Sequence, residues 1–293
     1  MANQSAVEET RRCLNNIEQF DSLVKAYIAV IPESALQEAE AIDRAREQDI
    51  VGGVLDGIPI SIKDCIDVAG IPCTNGSSFF ANYVPEQDAL IVQRLRNAGA
   101  VILGKTNLHE FAYGSTTQNP HYGSTRNPWD LDRIPSGSSG GAGASVAAQM
   151  CVGAVGSDTG GSVRTPAAIN GVSGLRPSMG SIPMTGSFTR ICPAIDTVGP
   201  LGESVEIVAR MFAVMAGYDD DDLYSVRKEQ PEFLVVLTIV SRALGLDCHV
   251  SFSWKILRKV WVVPLKQLLT SWLHWVQKLL MSSLKVLRVL SSR

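Results

Sequence analysis

The 293 residues hold only four histidines and six cysteines, and their arrangement speaks against a zinc site. Cys13, Cys65, Cys73, Cys151, Cys192 and Cys248 include no Cys-x-x-Cys pair and no spacing suited to zinc with nearby histidines. Free thiols in a reducing compartment are expected instead, with no metal and no cofactor. No secretory leader is expected, because Met1-Ala-Asn-Gln-Ser5 runs into a charged segment and not into an apolar one, so the expected location is the cytoplasm. No internal repeat is visible. A net charge of -3 offers no basic surface overall, and no nucleic-acid partner is expected.

What the chain does have is glycine and serine in two tight groups, Ser136-Gly-Ser-Ser-Gly-Gly-Ala142 and Gly156-Ser-Asp-Thr-Gly-Gly-Ser-Val-Arg164. A serine hydroxyl attacks well only when a base takes its proton and backbone N–H groups receive the charge developing on the substrate oxygen. In Asp158-Thr-Gly-Gly-Ser162 two glycines precede a serine, so consecutive amides can curl into an anion-binding nest. Thr159, Gly160, Gly161 and Ser162 are the expected oxyanion hole. Lys63 ends Val54-Leu-Asp-Gly-Ile-Pro-Ile-Ser-Ile-Lys63, which alternates apolar residues with others as a partly buried strand does. Burial there would lower its pKa toward that of a usable base.

Competing readings are weaker. A solvated linker is the bland account of Gly137-Ser-Ser-Gly-Gly141. The same stretch matches Gly-x-Ser-x-Gly, which centres a nucleophile elbow on Ser139, but the preceding Asp130-Leu-Asp-Arg-Ile-Pro-Ser136 is no hydrophobic strand. Neither stretch ends in the Gly-Lys-Ser/Thr of a phosphate loop. No motif ties His109 or His121 to Ser162 as a general base. Asp158 and Arg164 could be an acid and an anion clamp, and bracing of the loop is the preferred reading. Ser139 is read as a hydrogen-bonding neighbour.

These residues resemble the amidase signature family, whose members use a Ser, cis-Ser, Lys triad. The resemblance implies Ser162 as nucleophile, Ser138 as the bridging cis-serine and Lys63 as base, separated by 75 and 24 residues. It extends from about Leu36 to about Arg227, through Val101-Ile-Leu-Gly-Lys-Thr-Asn107, Glu110-Phe-Ala-Tyr-Gly114, Thr125-Arg-Asn-Pro-Trp129 and Gly174-Leu-Arg-Pro177. The chain departs from the family pattern at Ser136, Asn170, Arg176 and Ser181, which touches substrate preference and leaves the triad intact. The implied activity is hydrolysis of a small-molecule carboxamide through an acyl-enzyme. The amidase subunit of a tRNA-dependent amidotransferase, a glutaminase with partner subunits, is the alternative within the family. The segment His109-Glu-Phe-Ala-Tyr-Gly114 looks nearer to stand-alone amidases.

Composition changes abruptly near Gln230. From Glu232 onward nine basic residues face two acidic ones, only Gly245 remains of 25 glycines, and four of the five tryptophans appear. Nothing after about Arg227 resembles the family's continuation, so a truncated or replaced C-terminal part, and with it a catalytically incomplete fragment, is the third reading. Within 264–290 leucines and tryptophans recur at helical spacing between Lys266, Lys278 and Lys285, a basic amphipathic pattern suited to a membrane surface or a partner groove. A homodimer is also allowed for.

The organisation expected is a helical segment over 1–50, a signature core over 51–227 and the atypical tail over 228–293. Helices are expected over 5–30, from a capping box Ser34-Ala-Leu-Gln37 toward Gln48, over 88–98 and over 143–150, and strands at Lys63, over 100–103 and over 151–156. Asp219 to Asp222 reads as a solvated turn. Alternating elements of this kind give an α/β fold, a layered mixed β-sheet flanked by helices.

Overall fold

The computed structural model describes residues 5–187 and 190–227. They contain helices α1 (Ala6–Val24), α2 (Pro32–Glu47), α3 (Leu90–Asn97), α4 (Gly140–Ala147), α5 (Arg164–Asn170) and α6 (Val205–Met215). The strands are β1 (Tyr27–Val30), β2 (Pro59–Lys63), β3 (Val101–Thr106), β4 (Gln118–Asn119), β5 (Gly123–Ser124), β6 (Gly153–Asp158), β7 (Ser173–Gly174) and β8 (Thr197–Gly202). Six strands form one sheet in the order β1-β3-β2-β6-β8-β7, and β4 pairs with β5. The three consecutive strands β3, β2 and β6 are parallel, while β1 and β8 run antiparallel to their neighbours. The expected mixed, layered α/β sheet is the fold observed.

Side chains alternate across this sheet and divide the core. Ile60, Ile62, Ile102, Val155 and Val198 face one cluster with Ile91, Val92 and Leu95 of α3 and Ile207, Met211 and Phe212 of α6. Val101, Leu103, Ala154 and Leu201 face the other, with Cys13 and Ile17 of α1, Ala35 and Ala39 of α2, and Ala142, Ala144 and Val146 of α4. Period-two alternation is what a sheet covered on both faces requires. The lysine strand is buried at all five positions, not partly buried as expected. A parallel strand with helices over both faces has no solvated side.

Several boundaries differ from expectation for local reasons. The first helix stops at Val24, because Lys25 takes a left-handed conformation (φ 54°) and its N–H caps Asp21 O, after which Tyr27–Val30 pairs with β3. The second begins at Pro32 in its first turn with Ile31 as a cap lacking a side-chain bond, so Ser34 caps nothing. The small-residue helix α4 begins at Gly140, three residues before the expected start. Asp222 is no solvated turn residue: it is nearly buried and accepts from Met184 N at 2.8 Å, Tyr224 N at 3.0 Å and Arg190 Nη2 at 2.5 Å. The amphipathic segment 264–290, Cys248 and the rest of the tail lie outside the described residues. Among the described residues no helix is long and apolar enough to cross a membrane.

The Gly/Ser-rich stretch is packing material and not a linker. All of Gly140 to Val146 is buried, and α4 presses directly on the backbone beneath it. A Cβ at Gly141 would stand 2.4 Å from Asn107 O and 2.5 Å from Ala26 O. Gly141→Ala gains about 1 kcal/mol of helix propensity, but the clash falls on backbone atoms that cannot rotate away. Net destabilisation of about 1–3 kcal/mol is expected by urea denaturation. Gly160→Ala, whose Cβ meets nothing within 4 Å, should stay within about 0.5 kcal/mol.

Candidate functional site

Lys63 is the last residue of β2, paired in register with Thr106 at the end of β3. The carboxyl ends of the parallel strands β2, β3 and β6 therefore converge with the start of α4, the usual place for a site in an open α/β sheet. Lys63 is completely buried. Its Nζ lies 2.7 Å from Ser138 Oγ and 2.8 Å from Ser157 Oγ. Burial lowers its pKa to about 8, against the partial pull of Cys65, Asp158 and Asp196 in the other direction.

A second lysine provides the control within the same molecule. Lys105 on β3 is equally buried, but its Nζ lies 2.8 Å from Asp64 Oδ1. Burial opposes its charge, and the Asp64 carboxylate more than offsets this, so its pKa is raised. Asp64 is itself held by Thr74 through N–H and hydroxyl donors. Two buried amines on adjacent strands are thus set apart by their partners, a carboxylate for one and hydroxyls for the other.

The peptide between Gly137 and Ser138 is cis. Around it, His109 N donates to Ser138 O at 3.1 Å and Thr117 Oγ1 donates to Ser136 O at 2.8 Å. Ser136 adopts φ 65°, a left-handed conformation that glycine takes without cost. Ser139 Oγ donates to Ser157 O at 3.1 Å and accepts from Ser157 N at 3.3 Å, tying α4 to β6. No strand precedes Ser139 between residues 125 and 139, so the elbow reading finds no support.

Asp158 closes β6 and organises the second Gly/Ser loop. Its carboxylate accepts from Gly161 N at 2.9 Å, Val163 N at 3.1 Å and the Arg164 guanidinium at 2.9 and 3.0 Å, with Arg176 Nε at 3.3 Å. Burial opposes this charge, but the Arg164 fork and the backbone donors prevail and hold the carboxyl below its ordinary range. These bonds give Asp158 and Arg164 the geometry of a brace. Ser162 is half-buried and Gly160 exposed, so the tip of the loop faces outward. Ser139 N donates to Ser162 O at 3.3 Å, and Thr165 Oγ1 donates to Gly137 O at 3.2 Å, which joins the two loops. No hydrogen bond links Ser162 Oγ to Ser138 Oγ among the described residues.

The structure thus brings Lys63 and Ser139 into direct contact with Ser157 of β6, joins Ser138 to Lys63, and sets the Ser162 backbone against Ser139. Ser157, Thr117, Thr165, Asp196 and the Lys105–Asp64 pair were not singled out by sequence. Ser157 lies inside the Gly156–Arg164 motif, but only the fold reveals that it faces Lys63. His109 Nδ1 is 3.2 Å from Thr116 Oγ1, and His121 Nε2 is 2.8 Å from Glu110, so neither is paired with Ser162.

A family model described as Amidase matches residues 8–244, continuing past Arg227, where the resemblance was expected to stop. A glutamyl-tRNA(Gln) amidotransferase subunit of Trichormus variabilis is 43% identical over 242 residues, 83% of this chain and 50% of that protein. The protein of the same name from Carboxydothermus hydrogenoformans is 45% identical over 235 residues, covering 80% and 48%. Among solved structures, native peptide amidase from Stenotrophomonas maltophilia is 38% identical with a TM-score of 0.71, over 75% of this chain and 46% of that one. The chain spans about half the length of the curated relatives it matches.

The two lysines should respond oppositely to removal. An unfolded lysine keeps its proton up to about 10.5, whereas folded Lys63 loses its proton near 8. The unfolded state therefore binds more protons between those values, and stability rises with pH there. The stability of the wild type relative to Lys63→Met should climb across that window by at most about 1.4 kcal/mol per pH unit and be flat below it. Lys105→Met leaves Asp64 buried without a cation and should cost about 3–5 kcal/mol at neutral pH. Denaturant titrations across pH 6–10.5 check both.

Proposed function

The chain belongs to the amidase family, and from that premise we propose that it hydrolyses a small-molecule carboxamide with Ser162 as nucleophile, Ser138 as proton relay and Lys63 as base. The observation that carries this reading is the environment of Lys63. It is a fully buried amine whose hydrogen-bond partners are hydroxyls, which favours the neutral form a base requires.

In the first step neutral Lys63 accepts the Ser138 proton as Ser138 accepts that of Ser162, and Ser162 Oγ bonds to the carbonyl carbon. The carbonyl π electrons move to oxygen, and the oxyanion is received by the turn Thr159–Ser162. Of its four amides, that of Gly161 already donates to Asp158, which leaves Thr159, Gly160 and Ser162 as the donors. The tetrahedral intermediate then expels the amine or ammonia, which takes the proton back through Ser138. Water, deprotonated by the same relay, attacks the acyl-enzyme and releases the carboxylate. The Ser138–Ser162 hydroxyl bond has to form as substrate enters, as such contacts commonly do.

A second reading rests on the names of the relatives, several of which are glutamyl-tRNA(Gln) amidotransferase subunits. On it, the amide is glutamine and the ammonia passes to another polypeptide of the complex. Turnover of glutamine only after partner subunits are added would favour it over a stand-alone amidase. Cytoplasmic location belongs with either reading.

Labelling by a fluorophosphonate probe, mapped by mass spectrometry, tests the triad without knowledge of the substrate. The wild type should label at Ser162 alone and Ser162→Ala not at all. Lys63→Ala should label more slowly by about 10²–10⁴-fold, without the wild type's rise in rate around pH 8. A soluble, cooperatively folded wild type that does not label would overturn the reading and leave a family member retaining the motifs without the activity.

A further inference from the structure

The loop that carries Ser162 has a second carboxylate beside it, and the mechanism above does not use it. Asp196 immediately precedes β8 and is nearly buried. Its Oδ1 accepts from Thr159 Oγ1 at 2.5 Å and its Oδ2 from Cys192 N at 2.9 Å. The short turn that presents it is closed by Asp196 N donating to Cys192 O at 2.9 Å, and is fixed to Arg176 through Ile195 O at 2.7 Å. Asp158 therefore holds the loop from Gly161 to Arg164, and Asp196 holds its opening residue. Between these two anchors stands Gly160, whose Cβ position is open.

The Asp196 carboxylate also acts electrostatically on Lys63, as do Cys65, Asp158 and His109. Burial pushes the Cys65 thiol up, so it is uncharged at neutral pH. His109 is pushed down, chiefly by burial, and is uncharged above neutrality. Asp158 is matched by Arg164 and Arg176. Among the described residues no basic side chain is ion-paired with Asp196.

We propose that Asp196 is a positioning residue of this site: its carboxylate fixes Thr159, and with it the first amide of the oxyanion turn, and its charge, without an ion-paired base among the described residues, acts on Lys63. The inference rests on the triad reading and assigns a role to a residue outside the motif. The two functions can be separated by substitution. Asp196→Asn keeps an acceptor for the Thr159 hydroxyl and removes the charge. Thr159→Val removes the anchoring bond and keeps the charge.

The readout is the rate of fluorophosphonate labelling of Ser162 between pH 6 and 10, on samples matched for thermal unfolding. In the wild type the rate should rise around pH 8. In Asp196→Asn the rise should move to lower pH by a few tenths to about one unit, because the ammonium form of Lys63 loses a stabilising anion. Its plateau rate should fall by less than tenfold. In Thr159→Val the rise should stay in place while the plateau drops by about 10–100-fold, the cost of a misplaced donor. A merely structural Asp196 would lower both rates without moving either midpoint. An unmoved midpoint in Asp196→Asn, or an unchanged plateau in Thr159→Val, overturns the inference alone. Should Asp196→Asn not fold, the Thr159→Val plateau still decides. A wild type that does not label overturns the triad reading, and this inference with it.

Discussion

Burying an ammonium group without an ion-paired carboxylate costs several kcal/mol, and at Lys63 part of that cost is met by a weaker hold on the proton, its pKa falling to about 8. A neutral amine that donates to hydroxyls is far cheaper to bury than a cation. The consequence for the architecture is that two serines must reach the end of β2, one from the cis peptide before α4 and one from β6. Lys105, one strand away, solves the same problem with Asp64 and stays charged. Because both solutions occur at the same depth, burial alone does not make a base. The identity of the partner does.

Bringing hydroxyls that close requires elements with almost no side chains. Helix α4 lies against Thr117, the backbone of Ala26 and Asn107, and α5 only because Gly140, Gly141 and Gly143 let it. Each would place a Cβ within 2.8 Å of a neighbouring atom. The same economy appears at Gly156, where a Cβ would meet Ser139 Oγ at 2.8 Å. The glycine content that looks like a flexible linker in composition is, in the fold, the condition for a rigid contact. Asp158 completes the arrangement by gathering the N–H groups that a tight turn leaves unpaired, with two arginines balancing its charge.

The parts of this arrangement legible in the sequence are those whose chemistry demands a residue type at a fixed spacing. Lys63, Ser138, Ser162 and Asp158 stand inside short motifs, and the elements carrying Lys63 and α4 were expected within a few residues. What escaped was decided through space. Tyr27–Val30 is a strand because β3 is available to pair with it, and the left-handed Lys25 that ends the preceding helix has no glycine or proline to announce it. Ser34 and Gln37 form a capping box on paper, but Pro32 is already preorganised for the first turn and starts the helix earlier. Strand β8 contains Gly199 and Pro200, which read as a break. It nonetheless pairs along its whole length with β6. Asp196 inherits its significance from that pairing, and no spacing rule connects it to Thr159.

The bonds that position these groups form a closed set. Lys63, Ser138, Ser157, Asp158, Thr159 and Asp196 are held by partners that lie between residues 63 and 198. The chain spans only about half of its curated relatives, so the proposed proton relay and the determinants of substrate choice need not reside on the same stretch of sequence. A relay whose hydrogen bonds are internal can be assembled wherever this sheet folds. On the triad reading, recognition of a particular amide depends on whatever walls surround Ser162, whose half-buried position leaves one side open. On the proposed reading, proton transfer and specificity are separable physical problems in this chain, the first fixed by the partner of a buried amine and the second by what covers the outward face of one loop.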